Sequence, residues 1–245
     1  MTVATVGRRV ASVPPPHAHI DWTHPLAQRL KFCVYPGSAL KDFVSGAATP
    51  MTGGVSILPT SRGIARSGTW DTSNYVTVRD APVLGAFNNW TVMACIQTSA
   101  AATANGRPFY CERGSSGNDI LKLDSNPTAQ AGKLGITFRD DAGTLFQQWS
   151  SLTIVNDGYV KTLTITRNGS TFQGWIENSK TLNQTSATTS NFTNASVASR
   201  IGSDKGDASA AAGAASVVWV AGWARTLSDA EITGNYMNLS PMLVW

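Results

Sequence analysis

Short apolar runs of strand length recur roughly every 8–14 residues along this chain, most of them closed by Gly, Pro, Asn or Asp. Leu30 to Tyr35, Asn88 to Thr98, Tyr159 to Arg167 and Thr171 to Glu177 are the plainest of them. The run Trp90, Val92, Ala94, Ile96 alternates with Thr91, Met93, Cys95, Gln97, so this strand is expected to be covered on both faces. Asn168-Gly169 is a hairpin turn signal between two such runs. Many strands joined by turns, with almost no helical periodicity, must close as a sandwich or a barrel. The expected fold is all-β: an antiparallel β-sandwich of jelly-roll type.

One stretch changes period. Ser216 to Ala224 is apolar and rich in β-branched and aromatic residues, which predicts a buried strand. Ser228 to Tyr236 then predicts one short helix. Ser228 caps its first turn and Glu231 lies three residues on, the spacing of a capping box. Asp229 and Glu231 suit the positive end of the helix dipole. Leu227 and Ile232 are spaced as a hydrophobic staple, and Gly234 limits the helix to roughly two turns.

A chain of 245 residues, 42% of them apolar, can bury one core. Charged residues make up 14%, below the roughly 25% of an average soluble domain. The formal charge is +4, with no basic run longer than Arg8-Arg9, so nucleic acid is not an expected partner. Cys33, Cys95 and Cys111 are odd in number and widely spaced, which fits buried free thiols. No apolar run approaches the roughly 20 residues of a membrane span, and the N-terminus lacks the apolar region of a cleaved signal. Asn-x-Ser/Thr sequences at Asn89 and Asn191 are therefore taken as β-rich composition.

Three segments are expected. Residues 1–20 form an extended arm with a Pro triplet, 21–237 the sandwich, and 238–245 an apolar tail that must dock, on its own sandwich or on a neighbour. No pair or trio of carboxylates has the E-x-D-x-x-E spacing that glycoside hydrolysis on such a sheet needs. Asp140-Asp141 is expected to be a solvated turn. His17 and His19 lack a third ligand nearby, and no nucleophile elbow or phosphate-binding glycine loop is present. The expectation is no catalysis and no metal. Sugar sites use aromatic platforms beside Asn and Asp, which makes Asp71, Asn74 and Trp149 a candidate carbohydrate set; Trp70, Tyr75, Trp175 and Trp223 are expected mostly in the core.

The order of motifs resembles that of laminin-G-like (concanavalin A-like lectin/glucanase) jelly-roll domains. D-W-T-H-P-L opens at Asp21, G-x-x-x-x-G-x-x-x-x-x-x-Y-V runs from Gly63 to Val76, and N-W-T-V-M-A-C-I makes a core strand. T-I-T-R-N-G begins a hairpin at Thr164, R-I-G lies at Arg200 to Gly202, and A-R-T-L-S-D-A-E-I closes the set. The likeness covers roughly Ile20 to Tyr236 and is similar above all to laminin-G-like proteins of tailed bacteriophages and prophages. It implies a non-enzymatic virion component made in the host cytoplasm, foremost a capsid decoration protein. Its partners would be the major capsid protein or other virion subunits, and a homo-oligomer, such as a trimer on a capsid three-fold axis, would fit. Arg8, Arg9, Pro14, Pro15 and Pro16 of the arm and Met242, Leu243, Val244 and Trp245 of the tail would fasten it. The alternative is a carbohydrate-binding module for host surface glycans. Some relatives bind calcium through acidic loops; here Ala214-Ala215-Ser216 stands where many carry an acidic residue, with only Asp204 and Asp207 nearby.

Overall fold

The computed structural model describes residues 14–70, 73–79, 81, 83–98, 107–113, 120–125, 130, 132–152, 157–186, 191, 198–202, 213–236 and 239–244. In chain order the strands are β1 (His19–Ile20), β2 (Leu30–Tyr35), β3 (Ala39–Asp42), β4 (Met51–Thr52), β5 (Ser56–Thr60) and β6 (Gly63–Trp70). Then come β7 (Tyr75–Arg79), β8 (Asn89–Thr98), β9 (Arg107–Arg113), β10 (Ile120–Ser125), β11 (Leu134–Arg139) and β12 (Leu145–Trp149). The last are β13 (Val160–Asn168), β14 (Thr171–Ile176), β15 (Ser179–Thr185), β16 (Ala198–Ile201), β17 (Gly213–Trp223) and β18 (Leu243–Val244), with helix α1 (Asp229–Asn235) before β18. Among the described residues no helix is long and apolar enough to cross a membrane.

All pairings are antiparallel. One sheet runs β15-β14-β13-β8-β17-β2-β3, with hairpin β5-β6 also attached to β17; the other runs β12-β11-β10-β9-β16-β7-β4. The long strand β17 holds the first sheet together. Its first half pairs with β6, its second half with β2, and its opposite edge with β8. A bulge leaves Val218 out of the ladder, so Val217 and Val220 face one side while Val218, Trp219, Ala221 and Trp223 face the other. Gly222 is where Phe32 crosses: a Cβ there would lie 2.2 Å from the Phe32 ring, which itself stacks on Tyr110 at 4.9 Å.

There are two cores. The first fills the space between the sheets and holds Trp90, Val92, Ala94 and Ile96 from the alternating strand β8. The second lies on the outer face of the first sheet and takes the other set, Met93 and Cys95, with Trp175, Trp219 and Trp223. It is closed by Ala18, Ile20 and Leu26 from the N-terminal segment, Leu227 and Ile232 around α1, and Leu239, Met242 and Leu243 from the tail. Trp223 donates its indole N–H to the Leu26 carbonyl at 2.7 Å. The capping box forms as expected, with the Ser228 hydroxyl accepting from the Glu231 N–H and the Glu231 carboxylate accepting from the Ser228 N–H.

The arm expectation is corrected here, and the tail takes one of its two expected placements. The segment from Pro14 to Ile20 is not a free arm: Pro14, Ala18 and Ile20 are buried, and His19–Ile20 pair with Leu243–Val244 as β1 and β18. Apolar Ala18 and Ile20 have a hydrophobic face to cover, which their spacing in so short a run does not reveal. The tail docks on its own sandwich, with Met242 0% and Leu243 7% exposed. Neither side chain is therefore presented to another subunit; Val244, at 41%, is exposed. Arg8, Arg9 and Trp245 lie outside the described residues. Of the triplet, Pro15 is half-buried and Pro16 exposed.

Candidate functional site

The outer faces of the two sheets differ. That of the first is covered by the second core. That of the second carries no helix or strand across it among the described residues; Leu145 and Gln147 are exposed on it, whereas Cys111 and Asp124 are buried. Register fixes which residues share that face. Gln147, Thr137, Lys122, Cys111, Arg200 and Thr77 lie directly opposite one another in succession across β12, β11, β10, β9, β16 and β7. A parallel row on one side holds Trp149, Gly135 and Asp124. On the other side Leu145 faces Arg139.

This face is polar with aromatic ends. Trp149 is half-buried at one edge, and Tyr75 is half-buried near the other with the Arg200 guanidinium 3.9 Å above its ring. Lys122 and Asp124, two residues apart on one strand and so on the same side, form an ion pair at 3.6 Å. Gln147 donates its side-chain N–H to the Thr137 hydroxyl at 3.2 Å. Cys111 sits between Lys122 and Arg200 in the row and is 1% exposed.

The expected carbohydrate residues are not brought together. Trp149 is on β12 at one edge of the second sheet, while Asn74 precedes β7 near the other, five strands away and so about 24 Å. The Asn74 side chain accepts the Gly54 N–H at 3.1 Å, a tie between neighbouring turns. Asp71, Asp204 and Asp207 lie outside the described residues. Trp70, Trp175 and Trp223 are core, at 2%, 1% and 0% exposure, because large rings fill the two cores. Among the described residues no group of three His, Cys, Asp or Glu is placed to hold a metal ion. His24 accepts the Leu26 N–H through Nδ1 and caps a short 3₁₀ turn.

Buried titratable groups elsewhere act on the fold. Cys33, Cys95 and Cys111 are free and buried. Burial pushes the Cys95 thiol up to about 12, against the nearby Arg62 guanidinium, so it is no thiolate nucleophile at neutral pH. Arg62 is held by Glu177 at 2.7 Å and by the Thr162 hydroxyl at 3.1 Å. Asp140 is corrected: it is not a solvated turn residue but 2% exposed. Its Oδ1 accepts the Thr144 N–H at 2.8 Å, and its charge faces Arg167. Arg167 is itself fully buried, 4.5 Å from the Phe138 ring centre, and donates to Gly169 O and Asn191 Oδ1 at 2.8 Å each. Burial brings its pKa down to about 10 despite the Asp140 charge. Glu112 was not singled out by the sequence; its carboxylate receives the N–H groups of Val83, Leu84 and Gly85 at 2.9, 2.7 and 2.7 Å.

Two antiparallel sheets, one with its outer face covered by a second core, define a β-sandwich. Solved structures of similar fold include carbohydrate-binding and toxin-binding domains. Domain 4 of AbnA, a GH43 extracellular arabinanase from Geobacillus stearothermophilus solved with arabinotriose, matches at TM-score 0.65 and 12% identity, covering 84% of this chain and 97% of that one. The binding domain of Paraclostridial mosquitocidal protein 1 matches at TM-score 0.62 and 14% identity, covering 84% of this chain and 51% of that one. The CBM40 of Ruminococcus gnavus IT-sialidase, solved with α2,3-sialyllactose, matches at TM-score 0.51 and 13% identity, over 61% of this chain and 83% of that one. This chain spans about half the length of the toxin binding domain. At such identities the likeness is one of fold. No family model and no curated protein matches the sequence.

Proposed function

We propose that the protein is a non-catalytic glycan-binding module and that the open face of the second sheet is its binding surface. The observation that carries this reading is the registered row from Gln147 to Thr77, flanked by Trp149 and Tyr75, on a sheet face that no helix or strand crosses among the described residues. Sugar rings stack on aromatic faces and their hydroxyls pair with side-chain donors and acceptors, and such a face offers both. Neighbours solved with arabinotriose and sialyllactose support the reading by fold analogy. Of the sequence-derived carbohydrate set, Trp149 stands on this face among the described residues.

Attachment to a virion through arm and tail is the rival reading. It rests on the motif resemblance alone, and none of the neighbours named above is a virion component. A glycan array with the full-length protein, followed by titration of the best ligand, separates the two. Trp149→Ala is expected to weaken binding at least tenfold, while a chain lacking residues 1–13 binds as the full chain does. Absence of binding to every glycan, with saturable binding to undecorated phage heads, would reverse the choice.

A further inference from the structure

On the open face the charges do not cancel. Among the described residues Lys122, Arg139 and Arg200 are cationic there, and Asp124 is anionic and already paired with Lys122 at 3.6 Å. That leaves the two guanidinium groups. Among the described residues neither Arg139 nor Arg200 is paired with a carboxylate, and because the Nε of each is buried it is the terminal N–H groups of each guanidinium that can meet a ligand. Arg200 is also held flat, its guanidinium 3.9 Å from the Tyr75 ring centre, which fixes the plane in which its N–H groups point.

What fills such donors is set by geometry. A guanidinium presents parallel N–H groups that match the two oxygens of a carboxylate, and hydrogen bonds to a charged acceptor are roughly twice as strong as those to a hydroxyl. Arg139 on β11 and Arg200 on β16 are three strands apart and two residues out of line, so their backbones are about 16 Å from each other. A single sugar cannot meet both. A chain whose carboxylates recur along its length can, if it lies across the strands, with Lys122 on β10 between the two arginines.

Resting on the glycan-binding reading above, we propose that the preferred ligand is an acidic polysaccharide built from uronic-acid sugars, bound across the second sheet with Arg139 and Arg200 each receiving a carboxylate. The mild excess of positive charge over the whole chain, +4, favours encounter with such a polymer.

The test uses full-length protein and three probes, polygalacturonate, alginate and hyaluronan, each alongside its methyl-esterified form, which keeps the sugars and removes the charge. Dissociation constants are measured by calorimetry, with thermal melts to show that each variant is folded. The expected result is binding of at least one acidic polymer at least tenfold tighter than its ester, weakening as salt rises. Arg139→Gln and Arg200→Gln should each lower that preference roughly tenfold. Arg200→Lys, which keeps the charge and loses the fork, should fall between the wild type and Arg200→Gln. A folded variant whose acid-to-ester ratio is unchanged, binding of esters as tight as of acids, or binding of neutral glycans alone overturns the acidic class and leaves the glycan-binding face standing. Binding of single-stranded DNA as tight as that of any acidic polysaccharide also overturns the proposal. Failure to bind any glycan, acidic or neutral, overturns both readings.

Discussion

Glu112 has the clearest structural task of any charged residue in the chain. It is 0% exposed, on a strand, and its carboxylate gathers three successive backbone N–H groups from residues 83–85, where the chain crosses from β7 to β8. The Tyr110 hydroxyl donates to it as well. Desolvation raises its pKa against the pull of these donors. Glu112→Ala leaves three buried N–H groups and a hydroxyl without an acceptor. The expected loss is about 3 kcal/mol in chemical denaturation, and Glu112→Gln, which keeps one oxygen, should lose less. Nothing in R-P-F-Y-C-E-R marks this role, since the donors come from a loop more than twenty residues earlier. Asp140 misled for a related reason: a carboxylate in a tight turn is usually wet, and its burial against Arg167 depends on a strand that follows later in the chain. Arg139 and Arg200 are equally silent in the sequence, because a shared face across four strands exists only once the register is known. Trp149 and Asn74 stand near opposite edges of the second sheet, a separation that only the strand order sets, and the Asn74 side chain accepts the Gly54 N–H.

At the scale of elements, what could be read locally was read well. The alternation in β8, the Asn168-Gly169 hairpin and the capping box of α1 each depend on residues within a few positions of one another. β1, β3 and β18 are not legible in the sequence, because strands of two to four residues show no periodicity. The helix carries a pH dependence whose sign follows from its ion pair. Arg225 donates to both oxygens of Glu231, and together with the Ser228 cap this brings the Glu231 pKa down to about 2 from an ordinary value near 4.5. The ionised form is favoured by folding, so this contribution is complete above pH about 4.5 and is lost as pH falls toward 2. Melting temperature measured across that window should fall in the wild type and fall less steeply in Glu231→Gln; equal slopes would contradict the assignment. Ser228→Ala should cost about 1 kcal/mol at neutral pH. Deleting 239–245 removes the buried Leu239, Met242 and Leu243, and should destabilise on the order of 5 kcal/mol and expose dye-binding apolar surface over Trp223. A truncated chain as stable as the full one would mean that the tail does not close the second core.

The whole molecule is a sandwich with a third layer on one side. The fold class was open to sequence reading because the recurrence of strands extends over the entire chain and tolerates errors at any one of them. The second core was not, since it joins residues near 20 with residues near 240. The asymmetry it creates covers the outer face of one sheet and leaves that of the other without a helix or strand across it among the described residues. The placement of β17 has a further consequence, which concerns how the chain is made. β2, β6 and β8 are synthesised well before the strand that all three need, and none of the three has a complete set of neighbours until residues 213–223 leave the ribosome. Their free edges and the apolar faces of both cores must therefore wait through most of translation, for a time set by the elongation rate of roughly 5–20 residues per second. Unpaired strand edges are templates for association. A nascent chain stalled before Gly213 is expected to need chaperone cover and to aggregate without it, whereas one extended past Trp223 can close.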